Sequence, residues 1–313
     1  MSQVRSLRVA FLGNDAWSVP PLEALARSHH QVVAVVTAEP KPAGRGNELR
    51  PTPVAEAARR LGLPLSEVDT VKTGPGFKAL AVTTPDVVAV VAYGELLPPN
   101  VLHLPTIAPV NLHFSLLPEL RGAAPVQTAL LAGLERTGVT TIHMDTGLDT
   151  GPMILLREEP IRPEDDAGSL GSRLAELGGE VLVRTIDMLA AGPLAPIQQD
   201  PRLATFAPKF APEDRVLDWS NPARVLVNLV RALAPEPAAT TVFRGEGLKV
   251  LRAEVADGVG DPGTVIEVSK HGFVVASADG GFRPLILAPA GRNVMAAADF
   301  VNGHRPQVGE RLG

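Results

Sequence analysis

The run DVVAVVAYG at residues 86–94 carries the clearest structural signal in the sequence. Residues 87–92 are all valine or alanine, which is typical of a strand covered on both faces. Similar runs recur through the first half with helical patterns between them: RVAFLG at 8–13, QVVAVVT at 31–37, APVNLHF at 108–114 and GVTTIHM at 138–144. Buried strands that alternate with helices predict an α/β domain built on a doubly wound, mostly parallel sheet.

The second half of the chain has a different pattern. A helix is expected from about residue 220, followed by strand-like runs at 240–255 and 263–289 that are broken by glycine-containing turns. Short strands joined in this way predict a small antiparallel β-barrel. The stretch between the halves is rich in proline and alanine and has no periodicity. We therefore predict three segments, listed in order: a first domain at 1–190, a linker at 191–208 and a second domain at 209–313.

Composition excludes several classes of protein. The 313 residues are 45% hydrophobic and 20% charged, as in globular domains. No apolar run reaches the ~18 residues of a membrane helix, and no signal-peptide pattern precedes the first strand, so we expect a cytoplasmic protein. The absence of cysteine excludes a thiolate nucleophile and Cys-ligated metals. Residues 207–313 carry 12 basic and 12 acidic side chains, so the net charge of −5 lies in residues 1–206 and does not predict a nucleic-acid partner.

Most motifs with a known chemistry are missing from the sequence. It contains no GxxxxGK[ST] phosphate loop, no HExxH and no GxSxG. Gly258, Gly260 and Gly263 match GxGxxG in spacing, but they lie between two strands of the second domain, where a hairpin loop is expected. The adjacent pair His29 and His30 sits at a helix end without further ligand spacing. We predict no metal site.

One polar pair remains to be explained, at the end of an apolar strand. Asn111 and His113 point to the same face, because side chains alternate along a strand. They lie at its carboxyl end, where open α/β sheets bind ligands. The next strand-like run leads into MDTGLDTGPM at 144–153, which places Asp145 or Asp149 within reach of the same crevice. The alternative, that the pair only caps the following loop, stays open at this point.

An amide, an imidazole and a carboxylate around one crevice suit acyl transfer. Asn and His can donate hydrogen bonds to an oxyanion, and Asp can hold the histidine proton. Ser115 is the competing nucleophile, but no nucleophile elbow surrounds it and the Leu-Leu-Pro that follows predicts a rigid wall.

These residues resemble the 10-formyltetrahydrofolate-dependent formyltransferases, and within that family the members that act on aminoacyl-tRNA. The resemblance covers nearly the whole chain. The segments that carry it are NLHFSLLPELRGAAPVQ at 111–127, TGVTTIHMDTGLDTGPM at 137–153, FLGNDAWSVPPLEAL at 11–25, KPAGRGNELRPTPV at 41–54, VVAYGELLP at 90–98 and APEDRVLDWS at 211–220. It implies a Rossmann-like formyltransferase domain, followed by a barrel of oligonucleotide-binding (OB) type.

The resemblance also implies roles for individual residues. Asn111, His113 and Asp149 would be the catalytic trio. The folate cosubstrate, 10-formyltetrahydrofolate, would lie beside Ser115, Leu116, Leu117 and Pro118, with its pterin near Tyr93 and Leu96. Arg45 and Lys209 would contact the tRNA. Two departures from the family pattern are Asn47 and Glu48, where lysines are common, and GNDAW at 13–17, where GTPEF is commoner.

The implied reaction is transfer of a formyl group from the folate to the α-amine of initiator methionyl-tRNA, by an enzyme that needs no metal and that we expect to be a monomer. The alternative changes only the acceptor, to a small-molecule amine such as an amino-sugar nucleotide or a purine precursor. A non-catalytic RNA-binding protein is disfavoured, because a binding module has no need of a proton-transfer trio.

Overall fold

A computed structural model describes residues 5–43 and 48–313 of the chain. The chain divides into two compact units that are not continuous in sequence. One comprises Met1–Pro125, Arg136–Pro160 and Gly171–Ala207, and the other comprises Val126–Glu135, Ile161–Leu170 and Pro208–Gly313. The predicted domain limits at 1–190, 191–208 and 209–313 are linear divisions, and they stay a prediction.

The first unit contains a large sheet flanked by helices, two of which contribute residues to both units. Its strands are Arg8–Gly13 (β1), Gln31–Ala38 (β2), Lys41–Ala43 (β3), Glu48–Arg50 (β4), Leu65–Val68 (β5), Val87–Val91 (β6), Ala108–His113 (β7), Arg136–His143 (β8) and Met153–Pro160 (β9). The helices are Val19–Arg27 (α1), Pro53–Leu61 (α2), Gly74–Ala81 (α3), Pro99–Leu102 (α4), Pro125–Leu131 (α5) and Ala167–Ala191 (α6). A short 3₁₀ helix at Ala16–Ser18 precedes α1, and another lies at Pro201–Leu203.

The large sheet has the order β5-β2-β1-β6-β7-β8-β9. Strands β5, β2, β1, β6 and β7 are parallel, which confirms the predicted Rossmann-like, doubly wound core. Every residue of β6 is buried, because helices cover both faces of a parallel sheet. The chain leaves β1 in one direction to form β2 and β5 and returns on the other side to form β6 and β7. The crevice outside β1 and β6 is therefore the topological switch point, where ligands bind in this class of sheet.

The last part of the sheet departs from the parallel pattern. Strand β8 is antiparallel to β7 and pairs His143 with Val110, and β9 is antiparallel to β8. A buried strand has the same apolar pattern in either direction, and a helical segment lies between β7 and β8 as it would in a parallel crossover. The sequence pattern therefore gave no sign of the reversal.

Glycines of helix α6 allow it to pack closely against other elements of the first unit. A Cβ at Gly171 would overlap the indole ring of Trp17, and one at Gly178 would lie 2.8 Å from the Leu112 side chain. Trp17 in turn packs edge-on against Phe114, with ring centroids 6.2 Å apart. The small residues of α6 thus allow it to support the strand that carries Asn111 and His113.

The second unit is an antiparallel sheet with two helices. Its order is β10-β11-β14-β13-β12, with a further strand paired to β14. The strands are Ala239–Phe243 (β10), Glu246–Ala256 (β11), Val265–Ser269 (β12), Gly272–Ala276 (β13), Gly281–Pro289 (β14) and Met295–Ala296 (β15), and the helices are Ala223–Leu233 (α7) and Ala297–His304 (α8), after a 3₁₀ turn at Glu213–Arg215. Leu312 bridges to Phe243 and Arg311 bridges to Thr264, so the end of the chain joins the two outer strands of the sheet. The predicted antiparallel second domain is confirmed.

Within residues 5–43 and 48–313, no helix combines the length and the apolar character that crossing a bilayer requires.

Candidate active site

A cavity of about 340 Å³ lies at the switch point of the first unit. Its walls come from Asp15 after β1, from residues 92–97 after β6, from the carboxyl end of β7 and from the loop at 144–149 after β8. Asn111 and His113, which share one face of β7, both line it. The position agrees with the expectation that the carboxyl end of this strand faces a ligand site.

The carboxylate of Asp149 connects the three residues predicted to be catalytic. Its Oδ1 accepts a hydrogen bond from Asn111 Nδ2 at 3.3 Å, and its Oδ2 accepts the Gly122 backbone N–H at 2.8 Å. The same Oδ2 lies 3.7 Å from His113 Nδ1. The side chains of His113 and Asp149 are 7% and 14% exposed. The carboxylate is thus held on two sides and faces the imidazole from a site with little water.

The His113 ring has a defined tautomer. Its Nε2 lies 2.9 Å from the carbonyl oxygen of Leu120, and a carbonyl can only accept, so Nε2 carries a proton. Nδ1 then faces Asp149 and the cavity. A cationic ring would have its charge next to the Asp149 carboxylate.

The loop that carries Asp149 reaches the site by turning back along the sheet. Because β8 is antiparallel to β7, it does not end at the same edge as β7. Asp145 and Asp149 nevertheless line the cavity, as expected, because the loop turns back. The turn is sharp: Asp149 has φ 54°, in the left-handed region, and a Cβ at Gly151 would overlap the His143 carbonyl oxygen. A left-handed conformation, which non-glycine residues rarely adopt, therefore brings the Asp149 carboxylate into contact with Asn111 of β7.

Asp145, the other candidate carboxylate, stabilises its own loop. Its Oδ1 accepts the Gly147 N–H at 3.0 Å and the Thr150 hydroxyl at 2.7 Å. It lines the cavity but makes no hydrogen bond to Asn111 or His113 among the described residues.

The residues predicted to bind folate divide into two groups, and the first, Tyr93 and Leu96, lines the cavity. Tyr93 is 4% exposed, whereas Leu96 is 62% exposed. Burial raises the pKa of the Tyr93 phenol above its ordinary value, and the Glu95 carboxylate adds to the rise. The phenol is therefore neutral and can donate a hydrogen bond. Leu96 offers apolar surface at the mouth of the site.

The second group, Ser115, Leu116, Leu117 and Pro118, does not line the cavity. The Ser115 hydroxyl is buried and donates to the Glu119 carbonyl at 2.6 Å. Thr140 of β8 donates to the Ser115 carbonyl at 2.7 Å and accepts from the Leu117 N–H at 3.2 Å. These bonds tie the segment to the sheet, and its contact with folate stays a prediction without support from the cavity geometry.

Comparison with known proteins identifies the family. The Formyl transferase model matches residues 7–186, and the model of the formyl transferase C-terminal domain matches residues 209–305. The methionyl-tRNA formyltransferase of Acidithiobacillus ferrooxidans is 42% identical over 308 residues, which are 98% of this chain and 98% of that protein. The chain belongs to the methionyl-tRNA formyltransferase family. It is therefore an enzyme that transfers a formyl group.

Solved structures with lower identity share the fold. HypX from Aquifex aeolicus, in complex with tetrahydrofolic acid, superposes with a TM-score of 0.68 at 17% identity, over 98% of this chain and 49% of that longer one. The N-formyltransferase from Helicobacter canadensis, in complex with folinic acid and dTDP-3-aminofucose, gives 0.65 at 16% identity, over 89% of this chain and 98% of that one.

The two residues predicted to bind tRNA have different outcomes. Arg45 lies outside the described residues. Lys209 is exposed and belongs to the second unit. Both assignments stay predictions.

One segment of the chain lies outside both matched regions and still belongs to the first unit. Residues 197–207, here named the strap, were predicted to be part of a linker. Ile197 exchanges two backbone hydrogen bonds of 2.8 Å with Met153, where β9 begins. Further along, Arg121 N donates to Thr205 O at 2.9 Å and Arg121 O accepts the Ala207 N–H at 2.7 Å. The strap is therefore fixed to the first unit at both ends.

Asn14 also has a structural role that the sequence did not reveal. Its Oδ1 accepts the Thr37 hydroxyl at 2.9 Å and the Ala38 N–H at 2.8 Å, and its Nδ2 donates to the Tyr93 carbonyl. One amide thus connects the ends of β1, β2 and β6 at the switch point. Asn14 is part of the GNDAW segment, which departs from the family pattern. This departure has a structural effect, because the bond from Asn14 Nδ2 fixes the carbonyl of Tyr93.

One cluster in the described part of the chain, His29, His30 and Asp187, has the chemistry of metal ligands. The Asp187 carboxylate oxygen lies 3.1 Å from His30 Nε2 and 3.7 Å from His29 Nε2. However, the Leu7 N–H donates to His30 Nδ1 at 3.2 Å, so the single proton of the neutral ring is on Nε2. Burial lowers the pKa of His30 below its ordinary value, with His29 adding to the effect. The ring is therefore a neutral donor to Asp187, and its Nε2 has no lone pair for a metal.

Proposed function

We propose that this cavity transfers the formyl group of 10-formyltetrahydrofolate to the α-amino group of initiator methionyl-tRNA. The observation that carries the proposal is the Asp149 carboxylate, which contacts the Asn111 amide and lies 3.7 Å from His113 Nδ1 in a chain of this family. The folate donor is supported by two solved structures of the same fold whose ligands are tetrahydrofolic acid and folinic acid.

The amine needs little activation. A peptide-like α-amine titrates near pH 8, and esterification of the neighbouring carboxyl lowers that value further, so much of the nucleophile is neutral at physiological pH. The amine nitrogen attacks the formyl carbon and the carbonyl oxygen becomes an oxyanion. The C–N10 bond then breaks, and the proton of the amine ends on N10 of the released tetrahydrofolate.

The trio supplies what this sequence of steps requires. Asn111 has a second N–H beyond the one that binds Asp149, and this N–H can donate to the oxyanion. An oxyanion donor contributes roughly 3–4 kcal/mol of transition-state stabilisation. His113 Nδ1 can donate to the oxyanion when protonated, next to the negative charge of Asp149. Asp149 carries the proton from the attacking amine towards N10, directly or through a water molecule. No step requires a metal.

The pterin of the folate would occupy the part of the cavity next to Tyr93 and Leu96, and the tRNA would be held by Arg45, by Lys209 and by exposed basic residues of the second unit. Aromatic residues are only 4% of the chain, so phosphate contacts are the main source of tRNA affinity in this proposal, and base stacking is secondary. The enzyme would act as a cytoplasmic monomer, with the catalytic domain at 1–190, the linker at 191–208 and the OB-type barrel at 209–313.

The test is formyl transfer from 10-formyltetrahydrofolate to charged initiator tRNA. We expect transfer to methionyl-tRNA and none to free methionine, an amino-sugar nucleotide or a purine precursor. Transfer to one of the small amines, with no product on methionyl-tRNA, would contradict the proposal and favour the alternative acceptor. Asn111→Ala is the matched inactive variant, because it removes the oxyanion donor without a charge change.

A further inference from the structure

The amide of Gln199, in the strap, binds the turn that carries Asp149. Its Nε2 donates to the Asp149 carbonyl at 2.8 Å and to the Gly151 carbonyl at 2.7 Å. Its Oε1 accepts from Arg121 Nε at 3.0 Å and from Arg121 Nη2 at 2.6 Å. Both N–H groups and both lone pairs of the amide are therefore in use.

The chemistry of its partners fixes the orientation of this amide. Rotating the group by half a turn would place Oε1 against two carbonyl oxygens and Nε2 against a guanidinium, which are repulsive contacts at both ends. Arg121 is 6% exposed, so its hydrogen bonds to Oε1 form where little water competes. The amide is consequently a rigid connection between a buried cation and the loop.

The turn at Asp149 needs such a connection. A non-glycine residue in the left-handed region costs roughly 1–2 kcal/mol and persists only where neighbouring groups hold it. Gln199 binds the carbonyls on either side of Thr150, so one side chain sets the direction of the peptides that follow Asp149. Without these two donations the backbone could relax and move the carboxylate away from β7.

Arg121 links the two catalytic side chains through its chain neighbours. The Leu120 carbonyl, one residue before it, binds His113 Nε2, and the Gly122 N–H, one residue after it, binds Asp149 Oδ2. Its own side chain reaches Gln199, which holds the backbone of Asp149 from the other side. The segment 120–122 and Gln199 together enclose the carboxylate.

We propose that Gln199, anchored by Arg121, is a positioning residue for formyl transfer, which aims the Asp149 carboxylate at His113 by holding the carbonyls of Asp149 and Gly151. The role rests on the proposed function of the site. Gln199 itself touches neither substrate in this proposal.

The principal test is Gln199→Glu. A carboxylate of the same shape keeps the contact with Arg121 and adds an ion pair, but it cannot donate to either carbonyl. We expect kcat to fall about 10²-fold, the loss that a misplacement of about 1 Å can cause. KM for both substrates should change by less than about threefold, because binding residues are not altered. The matched control is Gln198→Glu, which introduces the same charge on an exposed side chain of the strap and should leave kcat within about twofold.

A double-mutant cycle separates positioning from general support of the fold. In an Asp149→Asn background, Gln199→Glu should cost less than about threefold further, because the residue acts through Asp149. A role in folding alone would produce the same factor in both backgrounds. If Gln199→Glu does not fold, Gln199→Met preserves the side-chain length without any donor and is expected to give the same pattern.

Two outcomes would overturn the proposal: a kcat within threefold of wild type for a variant without both donors, or equal factors in the two backgrounds. Formyl transfer by the wild-type chain, measured in the same series, tests the proposed function independently of the variants. If it forms no formylmethionyl-tRNA, crystal structures of wild type and Gln199→Glu still decide the positional claim. The distance between Gly122 N and Asp149 Oδ2, 2.8 Å here, should exceed hydrogen-bonding range in the variant. An unchanged distance would refute it.

Discussion

The Gly122 amide nitrogen lies 2.8 Å from Asp149 Oδ2, and this bond depends on the residue being glycine. Gly122 has φ 122°, and a Cβ there would lie 2.6 Å from the Ala207 carbonyl oxygen of the strap. The N–H reaches Asp149 because the backbone passes against the strap at this point without a side chain. The position of the Asp149 charge therefore depends on the backbone conformation at Gly122 as well as on the side chains of the site.

The two aspartates of the loop should behave differently when each loses its charge. Asp149→Asn should lower kcat by about 10²–10⁴, because the side chain could no longer carry a proton or stabilise a cationic His113. Asp145→Asn should stay within about threefold of wild type, because its amide oxygen can still accept from Gly147 and Thr150. Steady-state formyl transfer measures both. A larger loss for Asp145 than for Asp149 would show that the carboxylate assignment is wrong.

Tyr93, the chain's single tyrosine, should resist ionisation. Its folded pKa is raised above the ordinary value of 10, so the folded state keeps the phenolic proton after the unfolded state has lost it. Its contribution to stability is complete below pH 10 and is lost as pH rises through the folded pKa. Absorbance at 295 nm should show no phenolate step near pH 10 while the protein stays folded. A normal step at pH 10 in folded protein would contradict the burial of this phenol. Tyr93→Phe provides the blank.

Two helical glycines should respond oppositely to alanine. Gly171→Ala, in α6, would push a methyl group into Trp17 and should destabilise the first unit by about 1–3 kcal/mol. Gly303→Ala, in α8, meets no described atom within 4 Å and should stabilise its unit by up to about 1 kcal/mol through helix propensity. Urea unfolding of each variant gives the comparison. A Gly171→Ala variant as stable as wild type would mean that α6 is not closely packed on Trp17.

Much of the fold could be predicted because its signals are local. Uninterrupted apolar runs identified β1, β2, β6 and β7, whereas β5 at Leu65–Val68, which has no such run, was missed. The rule for carboxyl ends identified Asn111 and His113 as cavity residues. The direction of β8 could not be predicted, because direction depends on the pairing of distant strands. The family resemblance identified Asp149 as the carboxylate of the trio. The spacing of the loop alone left Asp145 and Asp149 as equal candidates.

The remaining parts of the site are encoded in tertiary contacts. Gln199 and Arg121 lie far apart in sequence and meet only in the fold, so neither has a pattern of its own. The strap lacks periodicity because single backbone bonds and side-chain bonds hold it in place, with the short 3₁₀ helix at Pro201–Leu203 as its one regular element. Proline and alanine in such a segment are also typical of a linker.

Basic residues of β11 offer a test of tRNA binding. Leu251 forms a bulge between Val250 and Arg252, and Lys249 and Arg252 on either side are both exposed. No carboxylate in residues 5–43 and 48–313 forms an ion pair with Lys249, whereas Arg283 pairs with Glu254 at 3.1 Å. Lys249→Ala should weaken tRNA binding and reduce the slope of log affinity against log salt by roughly 0.7–0.9, the value of one phosphate contact. Arg283→Ala should change the slope less, because its charge is already partly neutralised. Equal slopes for wild type and Lys249→Ala would remove this strand from the tRNA surface.

The position of the strap has a consequence for protein engineering. A chimera that exchanges the C-terminal matched region between relatives would ordinarily be joined near residue 190, between the two matched regions. Such a junction would take residues 197–207 from the donor of the second half and combine a foreign Gln199 with the resident Arg121 and Asp149. A junction after Ala207 keeps all segments of the first unit in one parent. Modularity in this enzyme therefore follows the hydrogen bonds of the Asp149 loop, and a graft designed on sequence boundaries alone would separate the active site from its own support.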